Sequence, residues 1–196
     1  MTKRIETYFL FILIIFAIYC SLNLGMSWDE PYHYHVGKSR LKYLFSFGQY
    51  EFDDWDLQYL FRYYPGLYDT LSAFISQIVP IKYEVHIHHI NNLFFSLLTI
   101  FGISKITARL FNKKVGKIVF LISFLNPIFF GHMSINPKDI IIAFSNIWAT
   151  YFIIRYLQFH HLQVKRKYFS TIIGILIGFG LGIRSIFIAT LLPIFI

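Results

Sequence analysis

Residues 7–35 read TYFLFILIIFAIYCSLNLGMSWDEPYHYH, an apolar run that stops against an acidic pair, Asp29 and Glu30. The hydrocarbon core of a bilayer takes about 20 residues of helix, and residues 7–25 supply them. Lys3 and Arg4 ahead of the run imitate a secretion signal. The run is longer than an ordinary signal h-region, however, and Trp28-Asp29-Glu30 is a poor cleavage site. The segment reads as a retained transmembrane helix. The single cysteine, Cys20, lies inside it, so no disulfide framework is in view.

The whole chain has the same character. Its 196 residues are 56% hydrophobic and 20% aromatic, only 14% are charged, and the mean hydropathy is +0.55. Soluble domains carry roughly a quarter charged residues. Four further apolar segments follow the first, at 85–109, 115–131, 137–158 and 169–192. The net charge of +8 would suit a nucleic-acid surface if the cations were clustered on one. Instead Lys3, Arg4, Lys105, Arg109, Lys113, Lys114, Lys117, Arg155, Lys165, Arg166 and Lys167 fall at alternate ends of the apolar segments. That is the positive-inside pattern, with a cytoplasmic N-terminus. The expected fold is all-α: one polytopic membrane domain over 1–196, with about five transmembrane helices.

With that orientation the stretch 26–84 is external, and it holds eight of the ten acidic residues: Asp29, Glu30, Glu51, Asp53, Asp54, Asp56, Asp69 and Glu84. Residues 31–48 place Tyr34, Gly37, Leu41, Leu44, Phe45 and Gly48 on one helical face, with Ser39, Lys42 and Ser46 turned away. This predicts an interfacial helix, as does LYDTLSAFISQIV at 67–79. Between them FGQYEFDDWD (47–56) and YYPG (63–66) carry turn and headgroup-belt residues. The second external loop is FGHMSINPKD at 130–139. The last segment holds Gly174, Gly178, Gly180 and Gly182, which permit close helix approach in lipid. Arg184 then interrupts it, and the chain stops in apolar sequence at Ile196, as an N-terminal piece of a longer protein would.

Three external features could carry chemistry: Asp29-Glu30, the set His132, Lys138 and Asp139, and Arg184. Ionisable groups at membrane depth are costly and are usually functional. Each also has a plain reading. Ser27-Trp28-Asp29-Glu30 matches a capping box with Pro31 in the first turn. Asn136-Pro137-Lys138-Asp139 is an equally good helix start, and Arg184 can snorkel to headgroups. His86, His88 and His89 form H-x-H-H without a matching Cys or third cluster, His33 and His35 point to opposite sides of a helix, and His160-His161 sit in a basic loop. None is a strong metal-ligand set.

The segments WDEPYHYH (28–35), FGQY (47–50) with YYPGLYD (63–69), NPIFFGHMSINPKDI (126–140) and GFGLGIRSIF (178–187) occur in this order. Together they resemble the N-terminal part of a GT-C glycosyltransferase, of the protein O-mannosyltransferase/aminoarabinose transferase type (glycosyltransferase family 39-like). The resemblance implies a GT-C-like helical bundle in a bacterial inner membrane. Its sugar donor would be a polyprenyl phosphate and its acceptor a protein or glycolipid, with the active site on the external face. It also implies that Asp29 is the catalytic base and that Asp139 is a second acid.

The residues agree chemically. Inverting transfer needs a carboxylate to take the acceptor's proton and cations to hold the leaving phosphate. Asp29, Glu30 and Asp139 are the candidate catalytic acids, and His132, Lys138 and Arg184 the candidate substrate-binding groups. No metal site is assigned, and the one candidate cofactor is a divalent cation. Mg²⁺ or Mn²⁺ would be held by Asp29, Glu30 and Asp139 only if these converge. The rival readings are a non-catalytic subunit or inactive fragment of such an enzyme, a lipid-phosphate hydrolase, and a transporter. The topology itself is testable. In a Cys20→Ser background, single cysteines at Asp54 and Ser134 are expected to react with an impermeant thiol reagent added outside, and one at Gln163 to stay silent. Labelling at 163 with silence at 54 would reverse the assignment.

Overall fold

The computed structural model describes residues 2–52, 64–159 and 161–194. It is helical, with no strand among the described residues. Helix α1 spans Thr2–Asn23, α2 Glu30–Phe45, α3 Leu67–Ser76 and α4 Glu84–Leu110. Then come α5 Lys113–Leu125, α6 Pro127–His132, α7 Asp139–Phe159 and α8 Gln163–Ile183, and a 3-10 segment, Ser185–Ile194, closes the described chain. The protein is an all-α polytopic membrane protein.

Four helical stretches are long and apolar enough to cross a membrane: Arg4–Asn23, Ile81–Leu110, Asp139–Phe159 and Gln163–Ile183. The segment expected at 115–131 is not one helix. It breaks at Asn126, whose backbone is extended (φ −63°, ψ 117°). The cause is local. Pro127 disfavours helical geometry in the residue before it, and the Asn126 side chain instead accepts the Phe129 N–H at 2.9 Å, starting α6. The 13 residues of α5 make about 20 Å of helix. Even so, the broken pair runs the length of α4 in the opposite direction. Gly116 packs on Ser104 and Ala108 near the end of α4, and the Met133 carbonyl reaches Ser96 nearer its start. The last segment also differs from expectation, because α8 ends at Ile183 and Arg184 is extended.

Pairings along the bundle sort the residues onto two ends. At one end lie Ser21, Glu30, His89, Asp139 and Arg184. At the other lie Glu6, Lys117, Arg109 and Gln158, joined as Glu6–Lys117 and Arg109–Gln158 pairs. The α1–α4–α5 side is filled by Ala17, Leu93, Ile100, Phe124 and Met133, and the site end by Tyr68, Ile140, Ile141 and Ile183. Helix α1 presents Ile5, Tyr8, Phe11, Ile12 and Phe16 outward, as expected of a helix whose surroundings are apolar.

In the first loop α2 and α3 form as expected, but Ser39, expected to turn away, is buried, while Leu44 and Phe45 are exposed. Helix α2 packs on α3 rather than lying apart from it. Gly37 makes this possible, since a Cβ there would fall on the Asp69 carbonyl. Of the glycines in α8, Gly180 and Gly182 are in close contact with Phe187 and Leu67, whereas a Cβ at Gly174 or Gly178 would meet nothing within 4 Å. The expected acids Asp53, Asp54 and Asp56, with Trp55 and His160, lie outside the described residues. Ser134 is only 3% exposed, so Trp28, 95% exposed at the same end, is the better topology reporter.

Replacing Gly37 by Ala should lower the thermal midpoint in detergent, at a cost of about 1–3 kcal/mol from overpacking. Gly174→Ala should be neutral or slightly stabilising, because it gains helix propensity without a clash. Equal effects at the two positions would contradict the α2–α3 contact.

Candidate functional site

Helix α2 begins at Glu30, with Asp29 as its N-cap and Pro31 in the first turn. The Asp29 side chain makes no capping hydrogen bond. Only half of the expected capping box forms. The Glu30 carboxylate accepts the Ser27 N–H at 2.5 Å, while the Ser27 hydroxyl turns to the Ile135 carbonyl at 3.3 Å. Asp29 is therefore left exposed at the positive end of a helix dipole.

Glu30 goes the other way. It is fully buried, accepts the Tyr34 hydroxyl at 2.9 Å and lies 2.8 Å from His89 Nε2. His89 Nδ1 is 3.0 Å from the Ser21 carbonyl, which can only accept, so Nδ1 carries a proton there. Burial alone would raise the Glu30 carboxyl, but the hydrogen bonds from His89, Ser27 and Tyr34 outweigh it and hold the group below its ordinary value. Burial and the Glu30 carboxylate push the Tyr34 hydroxyl far above its usual range, so it remains a donor. Glu30 thus ties α2 to α1 and α4 rather than facing a ligand.

The second loop is held by its backbone. Three consecutive carbonyls, Met133, Ser134 and Ile135, accept from Ser96 at 2.8 Å, Asn92 at 2.7 Å and Ser27 at 3.3 Å. Asn136 then turns the chain into α7, its side-chain oxygen accepting the N–H groups of Lys138 at 3.2 Å and Asp139 at 2.9 Å. The helix-start reading of Asn136 is correct, and it leaves the Lys138 ammonium and Asp139 carboxylate projecting from a fixed turn.

These loops enclose a cavity of about 230 Å³ lined by Ser27, Trp28, Asp29, His33, His132, Ile135, Asn136, Pro137, Lys138 and Asp139. Asp29, His132, Lys138 and Asp139 therefore share one cavity. Arg184 is not on its wall but adjoins it, 3.7 Å from Asp139, with the two side chains 41% and 60% exposed. Such an exposed pair adds little stability. The Tyr64 ring brings the cations together, 5.0 Å from Lys138 Nζ and 5.8 Å from the Arg184 guanidinium carbon. Glu30 is not on the cavity wall. With Glu30 turned inward, the three carboxylates do not gather into a metal site, and no group of three such ligands exists among the described residues. His88 bonds Ser72 at 2.9 Å while His89 faces Ser21 and Glu30, so H-x-H-H diverges.

Sequence reasoning missed His33 on the cavity wall and Asp69, which meets it at 3.2 Å, and Tyr64 and Asn92. The one signal for Asp69 was its position as a lone acid opening the apolar stretch LYDTLSAFIS.

Residues 73–196 match the family model described as dolichyl-phosphate-mannose-protein mannosyltransferase. The match covers well over half of the chain, and the chain belongs to this family. It is accordingly a membrane glycosyltransferase of the mannosyltransferase-like kind, a class that uses a lipid-linked sugar donor. No curated protein and no solved structure matches it. His132, Lys138, Asp139 and Arg184 fall within the matched residues, whereas Asp29, Glu30, His33 and Asp69 precede them.

The Glu30 network makes stability depend on acid. Because the folded carboxyl sits below its ordinary value of 4.5, its contribution is fully present above that pH. It is lost as pH falls through the lower folded value. The wild-type thermal midpoint should therefore drop on acidification below about 4.5, and Glu30→Gln should lack that component. At neutral pH the variant should lose about 3 kcal/mol, as when one partner of a buried pair is removed. A wild-type profile that is flat below 4.5 would contradict the pairing.

Proposed function

We propose that the protein transfers a sugar from a polyprenyl-phosphate donor to an acceptor hydroxyl on a protein or glycolipid, at the external membrane face. The acceptor oxygen attacks the anomeric carbon as the bond from that carbon to the phosphate oxygen breaks. Asp29 takes the acceptor's proton, and the departing lipid phosphate keeps the electron pair. His132, Lys138 and Arg184 hold that phosphate, and Asp139 orients Arg184. Arginine suits this task because its planar fork matches phosphate oxygens. Glu30 holds α2 in place and takes no part in the chemistry.

The observation that carries this reading is the Asp29 carboxylate, which is exposed, free of capping duty and on the wall of the same 230 Å³ cavity as Lys138 and His132. A lipid-linked phosphate cannot leave the headgroup plane, which explains why these groups gather where α1, α7 and α8 have their site-side ends. The cations at the opposite end support a cytoplasmic placement of that end, by the positive-inside rule.

Asp29→Asn in the full chain, assayed with a polyprenyl-phosphate sugar and an acceptor, should slow transfer by about 10²–10⁴. Its stability should change by less than about 1 kcal/mol, because the exposed Asp29 side chain makes no capping hydrogen bond for the substitution to remove. Transfer within a few-fold of wild type would remove Asp29 as the base.

A further inference from the structure

One wall of the cavity has no part in that mechanism. His33 lies on the first turn of α2 and lines the cavity with Asp29, His132, Lys138 and Asp139. Its Nδ1 is 3.2 Å from Oδ2 of Asp69 on the first turn of α3, and the two side chains are 6% and 9% exposed. The pair is buried, yet it is placed where a ligand would sit. Behind it is a second hollow of about 10 Å³, room for one water, bounded by His33, Asp69, Tyr64, Tyr68 and Lys138. His33 and Lys138 thus border both spaces.

A ring nitrogen bonded to a carboxylate fixes the imidazole's plane and leaves Nε2 for a ligand. With both nitrogens protonated, the ring becomes a cationic donor whose counter-charge, Asp69, sits on the side away from the cavity. Resting on the glycosyltransferase reading above, we propose that His33, positioned by Asp69, donates a hydrogen bond from Nε2 to the phosphate of the lipid-linked donor, opposite Lys138. The phosphate would then be gripped from α2 as well as from α7. This supplies the side of the site that faces the first loop, where Asp29 is an acid and offers no donor.

The groups that act on His33 can be named. From α2 and the residue before it come Asp29 and Tyr32, whose ring meets that of His33 edge-on with centroids 5.5 Å apart. From α3 come Asp69 and Tyr68, from the residues before α3 Tyr64, from α4 His88, and from the α6–α7 side His132, Lys138 and Asp139. Arg40 on α2 also acts on Asp69.

The test is equilibrium binding of a polyprenyl-phosphate sugar to the full chain in lipid nanodiscs, without acceptor, at about pH 5.5 and about pH 8, either side of histidine's range. The donor is a phosphodiester with one fixed negative charge, so any pH dependence belongs to the protein. Wild type should bind about tenfold tighter at the lower pH, the effect of one charge-assisted hydrogen bond. His33→Gln should bind more weakly and keep only the part of the dependence that His132 supplies, His132→Gln should keep the part that His33 supplies, and the double variant should bind equally at both. Asp69→Asn, which leaves the cavity wall untouched, should weaken binding at the lower pH. If His33→Gln does not fold, Asp69→Asn decides, and affinity within twofold of wild type overturns the proposal. A pH dependence in His33→Gln as large as in wild type also overturns it, as does turnover lost with donor affinity unmoved, which would make His33 a proton acceptor. Wild type that binds no donor at all sinks the glycosyltransferase mechanism along with it.

Discussion

Asn92 is the residue on which the site end of the bundle depends. Its side chain is fully buried in α4, and both ends of the amide are used. The Tyr68 hydroxyl donates to its oxygen at 2.6 Å, and its nitrogen donates to the Ser134 carbonyl at 2.7 Å. An unpaired amide in an apolar bundle costs several kcal/mol, so α3 and the loop before α7 must both be in place for α4 to sit where it does. His88, His89 and Ser96 lie on the same stripe and impose the same condition on α3, on α1 with α2, and again on the loop. Apolar packing alone has no preference for register in such a bundle. The polar stripe supplies it.

From that stripe the cavity follows. The loop carbonyls that α4 holds put Asn136 where it can turn the chain, and the turn aims Lys138 and Asp139. On the other wall, the Glu30–His89 pair fixes the start of α2 and leaves Asp29 and His33 on the cavity. Ser27 and Ile135 connect the walls through a single bond of 3.3 Å. A buried acid therefore serves structure next to an exposed acid that is free to react, though the two are adjacent in sequence.

Much of this was legible beforehand. Hydropathy alone gave the helical membrane class, because bilayer thickness acts on composition. The break at Asn126 was readable in principle from the proline after it, but the apolar run on either side masks it. Which acid of Asp29-Glu30 turns inward was not readable. A capping box assigns Glu30 a backbone partner, and only the packing of α4 supplies His89, 59 positions along the chain, as the stronger one. His33 with Asp69 was missed for a related reason. Their meeting needs the close crossing at Gly37, and nothing local to either residue encodes it.

The stripe on α4 also sets how this protein can change length over evolution. Each residue turns a helix by about 100°, so one insertion between His89 and Ser96 would swing the later donors off the loop while the earlier ones kept their partners. The two halves of the first loop and the α6–α7 turn would then answer to different faces of the same helix. Beyond Thr99 the polar partners are sparser: Ser104 donates to the Gly116 carbonyl at 2.8 Å and Arg109 pairs with Gln158, among contacts that are otherwise largely apolar. Lengthening is therefore less costly toward the basic end than toward the cavity, and the site end of α4 acts as a ruler that the rest of the chain must match.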